Sequence, residues 1–440
     1  MTLSITDLHE SVDDPALTSM TLLNELAGRF PEAISFSAGR PFEGFYDVDD
    51  LSRHLATFRS YLEDEKGLSG EQVRRTLFQY GRTKGFIHEL IARQLETDEG
   101  LRVDPESIVV TTGCQEAMVL LLRALVRDAR DVVLAATPNY VGFIGAARVA
   151  GAPLRDVREH DGGIDLEDLE RQIRAARREG LRPRACYVVP DFANPSGARM
   201  SLTDRIALLD LAWREGILVI EDNPYSLFPA GGAAQLPTLK SLDERHQVIH
   251  LGSFAKSAFA GARVGYIIAD QPVTSPGAAE SVLLADHLAK LKSMVTLNTS
   301  TVAQAVIGGY LLENGCSLRR ATAREAAVYR RNLTTILDRL DSVFEPGLGQ
   351  DVSWNTPQGG MFVVLTLPFL ADDAMLELSA SKFGVLWTPM HHFYGGTDGF
   401  RQARLSFSVL TPEQISVGVD RLGKLVQDQR ARRPAVLTAA

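Results

Sequence analysis

Three charged side chains in this 440-residue chain stand at positions where burial gives them chemical work to do. Lys256 lies in "GSFAKSAFAGARVG" (252–265), a run of small residues between the apolar stretches "QVIHL" and "YIIAD". An amine at a desolvated strand end has a depressed pKa, because burial disfavours the ammonium. A neutral amine can attack a carbonyl and form a Schiff base. The plainer alternative is a partly exposed loop lysine. Asp222 closes the strand-like run in "ILVIEDNPY", with Tyr225 three residues on. A carboxylate there can hold a proton on a buried heteroaromatic nitrogen, or it can simply cap a turn. Arg404, in "RQARLSFS", is a bidentate donor of the kind that fixes a substrate carboxylate, with Arg401 close enough to be the real candidate instead.

Other residues fall into the same sequence context, the carboxyl ends of predicted strands. Asn194 and Pro195 follow a strand in "VVPDFANPSG"; they form an Asn-Pro turn, or the amide serves a ligand oxygen. In "VVTTGCQEAM", Gly113 ends a strand and opens a helix, and backbone N–H groups at such a start bind anions. Ser253 and Arg263 flank Lys256 and can share one phosphate. Taken singly, each has an ordinary structural explanation. Taken in order on successive strand ends, they supply what pyridoxal phosphate needs: a phosphate cradle, a pyridinium partner, donors to the ring oxygen and a Schiff-base lysine.

These residues need a scaffold. Apolar runs at 107–113, 131–138, 185–191, 217–222, 248–253 and 264–270 read as buried strands, and helix-length amphipathic patterns separate most of them. That alternation predicts an α/β fold with a mostly parallel, doubly wound sheet, in which ligands bind at the strand carboxyl ends. A helical region at about 300–342, strand-like pieces at 359–367 and 403–410 and a last helix predict a smaller α+β domain. The expected division is an N-terminal arm over 1–45, a large domain over 46–300 and a small domain over 301–440. The tail "QDQRARRPAVLTAA" reads as a frayed end.

Composition sets the outer bounds. With 46 basic and 55 acidic residues, the net charge of −9 disfavours nucleic-acid or anionic-membrane binding. The three cysteines, Cys114, Cys186 and Cys316, form no CxxC pair, which favours a reducing cytoplasm over a disulfide framework and implies no metal site. The N-terminus lacks the pattern of a signal peptide, and no run is apolar enough to span a membrane. No GxGxxG opens a helix after a strand, so a dinucleotide-binding enzyme is a poor fit.

From "ISFSAGRP" (34–41) to "ARLSFS" (403–408), the chain resembles class I/II aminotransferases of the pyridoxal-phosphate fold type I. The resemblance implies a catalytic group of Lys256, Asp222 and Tyr140. Lys256 would be the Schiff-base lysine and proton shuttle, Asp222 the partner of the pyridine nitrogen, and Tyr140, in "TPNYVGF", the ring stacked on the cofactor. Asn194 and Tyr225 would donate to the cofactor's phenolic oxygen. Gly113, Cys114 and Gln115, with Ser253 and Arg263, would form the phosphate cup; Cys114 stands where many relatives carry a small residue or serine. Tyr80, in "LFQYGRTKG", would reach the phosphate of a neighbouring subunit, which implies a homodimer with shared active sites. Arg404, Gly39 in "SAGRP" and Asn194 would hold the substrate, Arg404 fixing the carboxylate so that Cα–H stands perpendicular to the ring.

"SFSAGRPFEGF", "GCQEAM", "KSMVTLNTS" and "LWTPMHHFY" look most like the aminotransferases that make arylglycines for peptide antibiotics, themselves similar to aromatic and 2-aminoadipate aminotransferases. That narrower resemblance implies an arylglyoxylate acceptor and an L-(hydroxy)phenylglycine product. The aromatics of 387–394 then either line a ring-binding pocket or belong to the core of the small domain. Two rivals share features of the pattern: a pyridoxal-phosphate lyase or cyclase on the same scaffold, and the sensor module of a regulator, for whose DNA-binding domain this chain leaves no room before the matched region.

Overall fold

The computed structural model describes residues 2–14, 25–231, 235–277, 280–344 and 351–432. Its largest element is an eight-stranded sheet in the order Ile108–Thr111, Gly265–Ile268, Val248–Ser253, Leu218–Asp222, Arg182–Val188, Asp131–Thr137, Leu154–His160, Gly163–Ile164. Neighbouring strands from Val248–Ser253 across to Leu154–His160 pair in parallel. Gly265–Ile268 runs antiparallel to both its neighbours, and the two-residue strand Gly163–Ile164 is antiparallel to the edge. This is the expected mostly parallel sheet. Its inner strands are buried on both faces, as their unbroken apolar runs require.

All six strands expected from apolar runs are present, and Leu154–His160 is an addition. Its sequence, "LRDVREH", carries charge at most positions and buries only Val157, so it has no apolar run to betray it. It is held by its parallel pairing to Asp131–Thr137 and by the Arg158 amide donating to Asp168. The strand expected at 185–191 starts three residues earlier. Arg182 belongs to it because its side chain pairs with Asp131 at 2.8 Å.

A second sheet has four antiparallel strands in the order Ser353–Trp354, Phe362–Thr366, Gln402–Ser406, Thr388–Pro389. Arg404 sits on its central strand, facing Val364 on one side and Thr388 on the other. Helices Ala323–Val343 and Pro412–Arg432 pack together against this sheet's core. Ile34–Ser35 runs parallel to Val385–Leu386, which brings "SAGRP" up to the same sheet. The region expected to be helical at 300–342 is three helices, Thr301–Glu313, Leu318–Ala321 and Ala323–Val343. The last helix continues through Arg432 rather than fraying at 427, secured by Lys382–Asp428 and Arg432–Asp428 pairs. Residues 433–440 of the expected tail lie outside the described residues. Among the described residues no helix is long and apolar enough to cross a membrane.

Candidate active site

The carboxyl ends of the parallel strands carry the predicted residues into one place, around two adjoining cavities. The smaller, about 180 Å³, is lined by Cys114, Gln115, Asp222, Ser253, Arg263 and Pro224 among others. The larger, about 220 Å³, is lined by Ser37, Gly39, Arg40, Thr388, His392, Phe393 and Arg404 among others. Tyr140, Asn194, Tyr225 and Lys256 line both. Lys256 therefore stands at the junction, the position a residue needs if it is to act on groups held in each.

Lys256 donates to the Gly39 carbonyl at 2.5 Å. Burial pushes its amine down to about 8, and the positive charges of Arg404 and Arg263 act in the same direction. Asp222 ends its strand fully within the protein and accepts from the Tyr187 hydroxyl at 2.7 Å. Burial raises its carboxyl to about 6, against the pull of that hydrogen bond. No lysine or arginine pairs with it among the described residues. It is a buried carboxylate that lacks a cation and borders a cavity.

Arg404 is its opposite in charge. It is 6% exposed, and burial pushes the guanidinium down to about 10, which leaves it charged at neutral pH. Its Nη1 donates to Asn194 Oδ1 at 2.7 Å, and its Nη2 donates to the Ser37 carbonyl at 2.6 Å and to Thr388 Oγ1 at 3.1 Å. The rings of Phe362 and Phe393 lie 4.5 and 5.0 Å from its guanidinium carbon. Its Nε is buried with no acceptor, and no carboxylate pairs with it among the described residues. Arg401 is exposed on the surface, so geometry decides between the two arginines.

The expected phosphate cup is built around glycine. Gly113 has φ +73°, and a Cβ there would come within 2.6 Å of Arg263 Nη2. Only the missing side chain lets the guanidinium lie over the first turn of helix Gly113–Leu125. The cap residue, Thr112, makes no side-chain cap, so the first-turn amides keep the donors that a helix leaves unsatisfied. The turn is braced from behind: Glu116 accepts from the Thr112 amide at 2.6 Å and pairs with the buried Lys292 at 2.8 Å. The Cys114 thiol donates to the Gly252 carbonyl at 3.2 Å, and burial pushes its pKa well up. Its side chain is thus occupied as a neutral donor, and its amide is what it offers the cup. Gln115 Nε2 donates to the Gly142 carbonyl at 2.7 Å.

Tyr140 stays a phenol, its pKa pushed up to about 12 by burial and the nearby Asp222 charge. Tyr225 is raised as well, again mainly by burial. Tyr80 does not join the cluster in its own chain; it is 83% exposed on the surface beside Phe78. Of the aromatic segment, Trp387 is core, its indole N–H donating to Ser379, whereas His392 and Phe393 line the larger cavity. Sequence reasoning missed Ser37, Thr388, Tyr187 and Phe362. Tyr187 carried the one usable signal, a polar tip in the apolar second half of its strand, two positions out of register with Asp222.

A carboxylate without a cation, a guanidinium without an anion, a depressed lysine between them and free first-turn amides are a donor set that suits pyridoxal phosphate. The fold and this constellation define an enzyme of pyridoxal-phosphate fold type I. The chain belongs to the class I and II aminotransferases: the model of that family matches residues 44–422. It is 52% identical over 96% of its length, and 94% of the other's, to the (S)-3,5-dihydroxyphenylglycine transaminase of Amycolatopsis orientalis. Among solved structures it is similar to the multiple substrate aminotransferase of Thermococcus profundus, with TM-score 0.81 and 26% identity over 97% of this chain and 99% of that one. It is also similar to the α-aminoadipate aminotransferase of Thermus thermophilus, solved with N-(5′-phosphopyridoxyl)-L-leucine, with TM-score 0.78 and 27% identity over 98% and 100%.

The depressed lysine gives a direct expectation. In enzyme freed of cofactor, acylation of Lys256 should rise with pH through a midpoint near 8, not near the ordinary 10.5, because only the neutral amine reacts. Arg404→Gln should move that midpoint upward by removing a neighbouring positive charge. A midpoint near 10 in the unaltered protein would refute the electrostatic account of this residue.

Proposed function

We propose that this aminotransferase exchanges an amino group between an L-amino acid and a 2-oxo acid in two half-reactions at one site, and that the acceptor is an arylglyoxylate converted to an L-(hydroxy)phenylglycine. The observation that carries the reading is Arg404: a buried charge without a counter-ion, bordering a cavity with aromatic walls. Removing both partners' water costs several kcal/mol per ion unless a partner arrives, so the site favours a ligand bearing a carboxylate. The 52% identical relative, named for 3,5-dihydroxyphenylglycine, supports the aryl assignment.

Pyridoxal phosphate is the cofactor; when bound, it supplies a carbonyl that captures amino groups and a cationic ring that accepts the electrons left at Cα. The amides of Gly113, Cys114 and Gln115, with Ser253 and Arg263, hold its phosphate. Asp222 keeps a proton on the ring nitrogen, its own hydrogen bond from Tyr187 fixing the carboxylate's orientation. Asn194 and Tyr225 serve the ring oxygen, and Tyr140 covers the ring. Arg404 grips the substrate carboxylate and so fixes the direction of Cα–H. Lys256 would move that proton as a general base, its amine being the free base close by. An amine with a pKa near 8 has an appreciable neutral fraction at physiological pH, which an ordinary lysine lacks.

The same reading pairs two copies of the chain. Phe78 and Tyr80 (77% and 83% exposed) and Met294 and Val295 (84% and 62%) are large apolar side chains left bare, and Thr301, shortly after the second pair, donates to the Leu77 carbonyl at 2.6 Å. Large apolar side chains left this bare suit a subunit interface, from which Tyr80 reaches the partner's phosphate. The reading also divides the chain at about residues 45 and 300, and its three unpaired thiols suit a cytoplasmic enzyme.

Three measurements test these statements. Adding 3,5-dihydroxyphenylglycine to the holoenzyme should abolish the visible band of the bound cofactor, and a 2-oxo acid should restore it. Conversion by other amino acids alone would overturn the aryl assignment, and release of ammonia without that exchange would favour a lyase. Arg404→Gln should lower kcat/KM by about two to three orders of magnitude, the cost of losing one partner of a buried charge pair; a change under about threefold would place the carboxylate elsewhere. Met294→Asp should sediment as a monomer with little activity, whereas an active dimer would move the interface off this patch.

A further inference from the structure

The segment Met390–Tyr394 places a second polar device at the larger cavity, and the amino-group chemistry does not use it. His392 lines that cavity. Its Nε2 lies 2.8 Å from Asp373 Oδ1. Asp373 is the first residue of helix Asp373–Leu378, outside the set of cavity-lining residues. Partial burial raises the Asp373 carboxyl, but hydrogen bonds from His391 and His392 outweigh that and hold it well below the usual carboxylate range. It is therefore ionised and can only accept. With Asp373 accepting at Nε2, the neutral ring keeps its proton there and leaves the Nδ1 lone pair free. Among the described residues no group donates to that Nδ1. His391 packs alongside, its ring 4.1 Å from His392 and stacked on Phe400 at 5.3 Å, which keeps the His392 ring from turning freely.

A hydrogen-bond acceptor in the wall of a cavity that already holds a carboxylate receptor selects a ligand with a donor at its far end. Resting on the aryl reading above, we propose that His392 accepts a hydrogen bond from a phenolic hydroxyl of the substrate ring, with Asp373 as the residue that positions it. This makes the enzyme selective for hydroxylated over plain phenylglycines. The logic is that of polar pockets generally: an acceptor left without its donor on binding an unsubstituted ring costs more than a lost methylene would.

The test uses ligands that need no turnover. 3,5-Dihydroxyphenylacetate and phenylacetate keep the ring and carboxylate of the arylglycines but have no amino group. Calorimetric titration of the holoenzyme should show the dihydroxylated acid binding about tenfold or more tightly. His392→Leu should bring the two affinities within about twofold of each other, weakening the dihydroxylated acid and relieving phenylacetate of the unmet acceptor. Asp373→Leu should also erase the preference, and Asp373→Asn, which keeps an oxygen for the Nε2 proton, should largely restore it. A preference that survives His392→Leu overturns the proposal. So does one that vanishes with EDTA and returns with Zn²⁺, since a metal ion on Asp373, His391 and His392 would then be the receptor. Failure of the aryl reading is distinguishable, because it appears as absent turnover of arylglycines in the unaltered enzyme, while the binding preference is measured separately.

Discussion

The guanidinium of Arg404 is charged, buried and answered by no carboxylate, and much of the surrounding architecture exists to make that tolerable. Three neutral oxygens, from Asn194, Ser37 and Thr388, take its protons. Two phenyl faces supply the rest of its surroundings. Each of these comes from a different part of the chain. Ser37 arrives through the parallel pairing of Ile34–Ser35 with Val385–Leu386, Thr388 through the edge of the four-stranded sheet, and Asn194 from beyond a strand of the large sheet. A cation that would otherwise cost several kcal/mol thus binds the two sheets to one another and stays available to a ligand. Asp222 repeats the arrangement with the sign reversed, one hydroxyl from Tyr187 standing in for a cation.

Lys256 depends on the first of these. Its amine lies near two arginines and away from solvent, so its proton is loosely held. Asp222 is deep enough that its own carboxyl is raised. A bound cationic ring would stabilise the carboxylate, while a substrate carboxylate at Arg404 would offset one of the charges that depress the lysine. The electrostatics of the site are incomplete in the protein alone and close when cofactor and substrate are present, which is the preorganisation that catalysis exploits.

Much of this was legible in the sequence because it depends on strand ends. An apolar run that stops at Asp222, or an Asn-Pro after Val188, marks position without any knowledge of neighbours. The residues that escaped are defined by partners distant in sequence. Thr388 matters because it faces Arg404 across a sheet. Ser37 contributes a carbonyl, which every residue has. Asp373 and His392 are nineteen positions apart and meet only when a short helix packs beside the aromatic segment. The strand Leu154–His160 was hidden for a different reason: near a sheet edge its arginines find acidic partners, Arg155 at Glu179 and Arg158 at Asp165 and Asp168, so burial left almost no mark on its composition.

The segment 388–394 is fastened at both ends. Thr388 is fixed by its pairing with Arg404, and the Phe393 carbonyl accepts the Asn139 amide at 2.7 Å, next to Tyr140. Between those anchors the backbone is set, and His392 alone of the pair 391–392 lines the larger cavity. An exchange at 392 would alter that wall of the cavity while Arg404 and Tyr140 kept their places. In a scaffold that many unrelated substrates share, this is a short interchangeable cassette, through which descent can shift an enzyme from one aromatic metabolite to another by very few mutational steps.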